Sequence, residues 1–103
     1  MSTEHIYFRV PYSDRVFESL DAAAERAGAI GRAREVRDAG RLLHNWLRSD
    51  PETLGEPYRV HRSRHLTEYL VFVGPLIVRY NIHHESKQVF VLYPIRVARW
   101  ASF

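Results

Sequence analysis

The spacing of hydrophobic and polar residues predicts one strand, two helices and then several strands. Near the start of the chain, Ile6, Phe8 and Val10 alternate with Tyr7 and Arg9. This alternation is typical of a short strand with one buried face. A proline follows directly and ends the predicted strand, because it cannot donate to a strand ladder.

Two amphipathic helices come next. Apolar residues that recur every three or four positions predict helices at about 13–28 and 32–49. Ser13 is a suitable N-cap for the first helix. Asp50-Pro51 ends the second helix, because the residue before a proline avoids helical angles. The link between the helices is short, so we expect an antiparallel helical hairpin.

In the second half of the chain the apolar period changes to two. Tyr58 and Val60 alternate with polar residues, which indicates a strand. The run 69–73 is apolar at every position. Such a run predicts a strand that is covered on both faces or is central in its sheet.

The last part of the chain predicts a turn and two more strands. Gly74-Pro75 is the turn, and the strand after it carries Arg79 on the face opposite to four apolar residues. Those four residues are Leu76, Val78, Tyr80 and Ile82. A polar loop at 83–87 and a strand at 89–93 follow.

Together these elements predict a single α+β domain over residues 1–103. Its order is a strand, a helical hairpin and then a three- to four-stranded, mostly antiparallel sheet. We expect the helices to cover one face of this sheet. The other face would stay accessible and would carry Arg79.

The composition of the chain excludes several classes of protein. The chain has 103 residues, of which 46% are hydrophobic, and this is enough for one modest core. It has no cysteine, which excludes a disulfide scaffold, a cysteine-ligated metal site and a thiol nucleophile. No apolar run approaches the roughly 18 residues that a membrane span needs. The N-terminus also lacks the pattern of a signal peptide, so we expect a cytoplasmic protein.

The positive charge is concentrated in the second half of the chain. The sequence has 15 basic and 12 acidic residues, and only Lys87 among the basic ones is not an arginine. Residues 1–50 are balanced, so the whole excess of +3 lies in residues 51–103. Guanidinium groups match phosphate oxygens in geometry. The distribution therefore favours an anionic partner for the second half.

The order of elements and one segment resemble the RelE/ParE toxin superfamily. The segment is Val73-Gly74-Pro75-Leu76-Ile77-Val78-Arg79-Tyr80-Asn81-Ile82, which is similar to the family's "G.yRv.Y.i" strand. Asp50-Pro51 through Gly55-Glu56-Pro57 is similar to the loop that precedes this hairpin in the family. The strand at 89–93 with Arg96 beyond it is similar to the family's last strand.

The resemblance implies a toxin of a bacterial type II toxin–antitoxin pair. RelE-like members cut mRNA in the ribosomal A site without a metal. ParE-like members keep the fold, lack the catalytic residues and poison DNA gyrase. In both groups an antitoxin segment wraps over the domain and silences it. The expected partners are therefore an antitoxin and either ribosome-bound mRNA or DNA gyrase, with no cofactor.

Two departures from the RelE pattern keep two hypotheses open. Ile77 occupies the position of the family's phosphate-binding arginine, and Arg79 lies roughly 6–7 Å further along the same strand face. The run 69–73 also has no lysine, although RelE-like members carry catalytic lysines there. One hypothesis is a ribosome-dependent mRNA endoribonuclease. The other is a non-catalytic binding module, either a gyrase-directed toxin or a non-toxic domain.

Metal-independent RNA cleavage needs a cation for the phosphate and a base for the 2′-hydroxyl. Arg79 and Arg96 are the candidate cations. His61 or His65 is the candidate base, because imidazole titrates near neutrality. The alternative for Arg79 is a solvated strand arginine that pairs with a carboxylate.

The segment 59–65 has the densest basic charge and is a candidate contact for an RNA backbone. Its arginines are Arg59, Arg62 and Arg64. The alternative is a charged strand edge that discourages aggregation. Arg99 is a further candidate RNA contact, and Tyr93 is a candidate for base stacking or for sheet packing.

We expect structural roles for His44, His83 and His84. Neighbouring residues on a strand point to opposite faces, so His83 and His84 would rarely reach one metal ion. We therefore expect a turn at these residues and Glu85, and no metal site. His44 lies between core positions of the second helix and is expected to be half-buried.

Overall fold

The computed structural model describes residues 7–103. Within them the chain forms three helices and five strands, which confirms an α+β fold. The helices are α1 (Asp14–Gly28), α2 (Ala33–Ser49) and α3 (Pro51–Leu54). The strands are β1 (Glu56–His61), β2 (Leu66–Val73), β3 (Leu76–His83), β4 (Gln88–Val91) and β5 (Arg96–Val97). Single 3-10 turns occur at Arg62–Arg64 and Arg99–Ala101.

The helical hairpin agrees with its prediction. Ser13 caps α1, since its Oγ accepts a hydrogen bond from the backbone N–H of Val16 at 3.2 Å. The two long helices run antiparallel. Asp21 of α1 pairs with Arg37, while Tyr12, just before α1, bonds to His44 further along α2.

The sheet has one more strand than predicted. Its order is β1-β2-β3-β4, and each neighbouring pair is antiparallel. β4 pairs with only one half of β3, and β5 returns after it to pair with the other half, at Leu76 and Ile77. The expected three- to four-stranded sheet is therefore five-stranded. A strand of two residues is too short for its period to be recognised.

The predicted first strand is reduced to a single bridge. Ile6 lies outside the described residues. Of the rest, only Arg9 pairs with a strand, through an isolated parallel bridge to Gln88. Phe8 instead donates its N–H to the carbonyl of Arg48 in α2 at 2.8 Å. On the edge that faces β4, the next backbone donor after Arg9 would belong to Pro11, which has no N–H, so the ladder does not extend.

β4 ends at Val91 rather than at Tyr93 as predicted. The N–H of Leu92 still donates to the carbonyl of Arg79 at 2.9 Å. Two residues later Pro94 has no N–H, so the ladder stops.

The helices cover one face of the sheet, as expected. All four apolar residues of the predicted β3 stripe are fully buried against them: Leu76, Val78, Tyr80 and Ile82. In β2 the buried apolar residues are Tyr69, Val71 and Val73, whereas Phe72 between them is 61% exposed. The expectation that 69–73 is covered on both faces is therefore wrong. The alternative is confirmed, because β2 is a central strand between β1 and β3.

Two glycines allow close packing on the covered face. Gly74 begins the two-residue turn between β2 and β3 with φ +53°, a conformation that glycine adopts without cost. Gly55 lies against Tyr80, and a Cβ at this position would be 2.7 Å from the Tyr80 hydroxyl. That hydroxyl donates to the carbonyl of Pro51 at 2.8 Å. Burial raises the pKa of Tyr80 above its ordinary value.

The C-terminal segment packs on the helices. The N–H of Ile95 donates to Ser19 Oγ at 3.1 Å. Arg32, at the start of α2, donates to the carbonyl of Ala101 and lies over the Phe103 ring at 4.8 Å. These contacts place β5 beside β3 and so complete the sheet.

Candidate nucleic-acid interface on the sheet

The face of the sheet opposite the helices carries most of the polar chemistry. We call it the open face. Directly paired residues of neighbouring strands share a face, so the strand register assigns its members. On β2 and β3 they are Leu66, Glu68, Leu70, Phe72, Ile77, Arg79, Asn81 and His83, with Glu56, Arg59 and His61 on β1, Gln88 and Phe90 on β4, and Arg96 on β5. Arg79 therefore lies on the face that the sequence predicted.

Three charged or titratable side chains meet near the middle of the open face. The carboxylate of Glu68 lies between Arg79 and His61. Arg79 Nη1 is 3.7 Å from Glu68 Oε2, and His61 Nε2 is 3.8 Å from Glu68 Oε1. Both distances are longer than a direct hydrogen bond, so the contacts are electrostatic. Only 7% of the Glu68 side chain is exposed, against 48% for Arg79 and 34% for His61.

The burial of Glu68 determines what this cluster can do. An isolated buried carboxylate is costly, and nearby cations reduce that cost. Glu68 Oε2 has no hydrogen-bond partner among the described residues. The carboxyl group is therefore held beneath the surface, beside Arg79 and His61. The outer parts of those two side chains remain accessible to a ligand.

Glu68 is absent from the site residues that the sequence predicts. The predicted strand begins at position 69, whereas β2 begins at Leu66. Glu68 also directly precedes the apolar run, where an acid is usually a solvated strand end. The register pairs it with Arg59 on one side and Asn81 on the other. A correct strand start would have placed this acid beside basic residues on the open face.

Tyr58 is the second residue that sequence analysis missed. The register between β1 and β2 shifts between Pro57 and Arg59, so Tyr58 is an extra residue in a β-bulge. The bulge brings the Tyr58 hydroxyl to 3.5 Å from Arg79 Nη1. Tyr58 is half-exposed and is not part of the core. Nothing in the alternation of residues marks a bulge, so this contact could not be predicted.

Arg96 joins the open face through β5. It is directly opposite Ile77, which is two residues before Arg79 on β3. Diagonal neighbours of this kind lie roughly 7–8 Å apart. Arg96 is exposed. The structure thus brings the two candidate phosphate-binding arginines to adjoining positions.

The basic segment lies at an edge of the sheet. Within residues 7–103, β1 pairs only with β2, so the part of the segment that belongs to β1, 59–61, is at a strand edge. Arg62 and Arg64 follow β1 in an exposed 3-10 turn. His65 has φ +54° and is 3.9 Å from Glu85 in the β3–β4 loop. Of the two candidate bases, only His61 is in contact with Glu68.

Tyr93 and Arg99 lie outside this cluster. The guanidinium of Arg15, in α1, lies over the Tyr93 ring at 4.2 Å. Tyr93 is therefore beside the first helix, and is half-exposed there. Arg99 is exposed in the 3-10 turn after β5. Their contacts with RNA remain predictions.

Among the described residues, His44, His83 and His84 have hydrogen-bond partners within the protein. His84 and Glu85 lie in the β3–β4 turn, as expected, but His83 does not, because it is the last residue of β3 and pairs with Gln88. Across residues 7–103 no three His, Asp or Glu side chains are grouped so that they could hold a metal ion. His44 is half-buried, also as expected, and its Nδ1 is 2.7 Å from the Tyr12 hydroxyl. Burial raises the pKa of Tyr12 to about 12.

Comparisons with known proteins do not assign this chain to a family. No protein-family model matches it, and no curated protein does so at a significant level. In the described part of the chain, no helix combines the length and the apolar character that crossing a membrane requires.

Proposed function

We propose that this protein is the toxin-like component of a type II toxin–antitoxin system and cleaves ribosome-bound mRNA without a metal. One observation carries the proposal: His61 and Arg79 flank the buried carboxylate of Glu68 on the open face. A base and a phosphate-binding cation on one accessible surface are the minimum for this reaction. In this proposal the protein acts in the bacterial cytoplasm and a cognate antitoxin covers the open face.

The proposed reaction is an internal transesterification of RNA. His61 removes the proton of a ribose 2′-hydroxyl, and the 2′-oxygen attacks the adjacent phosphorus. The bond from phosphorus to the 5′-oxygen of the next nucleotide breaks. Arg79 stabilises the negative charge on the phosphate oxygens during this step. The products are a 2′,3′-cyclic phosphate and a 5′-hydroxyl.

The leaving 5′-oxygen needs a proton. The Tyr58 hydroxyl, 3.5 Å from Arg79 Nη1, is a donor at the right place. Glu68 acts differently, because its side chain is 7% exposed and cannot readily touch substrate. It is a positioning residue: its charge holds Arg79 in place and stabilises the imidazolium that forms on His61.

A second candidate function is a binding module without catalysis. The observation that favours it is the same ion pair, since Glu68 opposes the charge that Arg79 would offer to a phosphate. The isoleucine at position 77, opposite Arg96, supports it as well. In this alternative the open face would bind a protein target such as DNA gyrase, or the domain would have no toxicity.

Inducible expression with and without the neighbouring gene distinguishes these functions. The endoribonuclease hypothesis predicts growth arrest, new mRNA 5′ ends and rescue by the neighbouring gene. Arrest with intact mRNA and damaged DNA would select the gyrase-directed module instead. Normal growth would indicate a domain without toxicity.

His61→Ala and His65→Ala test which histidine is the base. We expect the larger loss of mRNA cleavage in His61→Ala, on the order of 10²–10⁴-fold, because a positioned general base typically contributes that much. Primer extension on a defined transcript in a ribosome-containing extract measures it. A larger loss in His65→Ala would contradict the proposed role of the Glu68 cluster.

A further inference from the structure

The open face carries two exposed phenylalanines that the proposed reaction does not use. Phe72 of β2 is 61% exposed and Phe90 of β4 is 36% exposed. Neither belongs to the core cluster, which lies on the other face. Exposed aromatic rings on an open sheet are a common platform for the bases of single-stranded RNA.

The register places Arg79 between these two rings. Phe72 is two residues beyond Leu70, the direct partner of Arg79. Phe72 is therefore level with Ile77, two residues before Arg79 on β3. Phe90 is the direct partner of Asn81, two residues after Arg79. Both phenylalanines are thus diagonal neighbours of Arg79, on opposite sides of it. Each diagonal spans roughly 7–8 Å between backbone positions, so the two phenylalanines are about 15 Å apart along the sheet with the backbone of Arg79 midway.

We propose that Phe72, Arg79 and Phe90 form a diagonal binding track for single-stranded RNA. One base stacks on Phe72 and another on Phe90, and a phosphate between them contacts Arg79. This track rests on the proposed function and extends it, since it describes how single-stranded RNA lies on the same surface. Stacking tolerates any base, because every base has a π-face, so the track binds without strong sequence preference.

The charge on both sides of the track supports an RNA occupant. Arg96 lies beyond Arg79 near the Phe72 end, where it is opposite Ile77. Arg59 lies in the same row as Phe90, across Glu68 and Asn81. An extended single strand that crosses the face meets these cations with its phosphates. Two acids lie in these rows: Glu68 is buried beneath the surface, whereas Glu56 is exposed on the edge strand β1, opposite Leu70.

Fluorescence anisotropy with a labelled 2′-O-methyl oligonucleotide tests the track, because this RNA cannot undergo the cleavage reaction. We expect Phe72→Ala and Phe90→Ala each to weaken binding roughly 5- to 100-fold, as loss of one stacked base does. Phe72→Trp should bind the oligonucleotide like the wild type, whereas Phe72→Leu should bind it as weakly as Phe72→Ala. Phe17→Ala is the matched control, since Phe17 is 50% exposed on α1, away from the sheet.

The outcomes separate the track from the proposed function. Normal affinity in both variants would overturn the track even if the protein cleaves mRNA. Equal binding by Phe72→Leu and Phe72→Trp would also overturn it, because the ring would then act only as apolar surface. If the wild-type protein binds the oligonucleotide through both rings but cleaves no mRNA, the track is supported and the proposed enzymatic activity fails.

Discussion

The two faces of one sheet have opposite chemistry in this protein. On the covered face, alternate residues of β3 are fully buried and apolar, and the single polar group of Tyr80 is hydrogen-bonded to Pro51. On the open face, the intervening residues include Arg79 and Asn81, and a carboxylate is buried beside them. Side chains that differ by one position in sequence therefore contribute to different properties of the molecule.

The difference shows how a small domain separates stability from function. Burial of apolar area supplies most of the free energy of folding, so the covered face determines stability. Half-exposed charges contribute little to that free energy. The open face is therefore free to carry charge for a ligand, and substitutions on it should change binding or cleavage more than folding.

The largest effect on stability is expected for Ile82→Ala, with Ile77→Ala on the same strand as its control. Ile82 is fully buried on the covered face, whereas Ile77 lies on the open face. Ile82→Ala should lower the free energy of unfolding by about 2–5 kcal/mol, because it leaves a cavity. Ile77→Ala should lower it by about 1 kcal/mol or less. Urea unfolding followed by circular dichroism measures both, and equal losses would remove the distinction between the faces.

A smaller effect is expected at Gly55. An added Cβ would be 2.7 Å from the Tyr80 hydroxyl and 2.8 Å from the carbonyl of Leu70. Gly55→Ala should therefore destabilise the protein by about 1–3 kcal/mol, as overpacking does. Gly28→Ala is the matched control, since its nearest contact would be an ordinary 3.6 Å. If the two variants have the same midpoint in urea, the close packing around Tyr80 is not as described.

The smallest of the three effects on stability belongs to the Tyr80 hydroxyl. Tyr80→Phe removes its bond to Pro51 and should cost about 1 kcal/mol at neutral pH. Because burial raises the pKa of Tyr80, the folded state holds a proton that the unfolded state releases above about pH 10. Stability should therefore fall as pH rises beyond that point, and it should fall less steeply in Tyr80→Phe. Parallel slopes for the two proteins would contradict this assignment.

Periodicity predicted the parts of the fold that repeat over many residues. The steps of three and four in α1 and α2, and the alternation around Tyr80, placed both helices and the covered face correctly. The same alternation put Arg79 on the open face. β5 was missed because two residues carry no period, and the first strand was overestimated because Pro11 has no N–H to continue the pairing of Arg9 with β4.

The candidate site was predicted less completely, because side chains from different strands form it. His61 and Arg79 could be selected by residue type alone. Glu68 required the true start of β2, and Tyr58 required a bulge that shifts the register of β1. Both features depend on pairing between strands, which no single segment of sequence determines.

Cleavage by an Arg79 variant is the most direct test of the claim that the open face carries the function. Arg41→Ala is the matched control for Arg79→Ala, because the Arg41 side chain is 75% exposed on α2. Both variants would be expressed at equal levels, and the 5′ ends of cellular mRNA would be mapped. Circular dichroism would confirm that both variants fold. We predict that Arg79→Ala folds but loses most of its cleavage, while Arg41→Ala cleaves like the wild type. Unchanged cleavage in a folded Arg79→Ala protein would contradict the account.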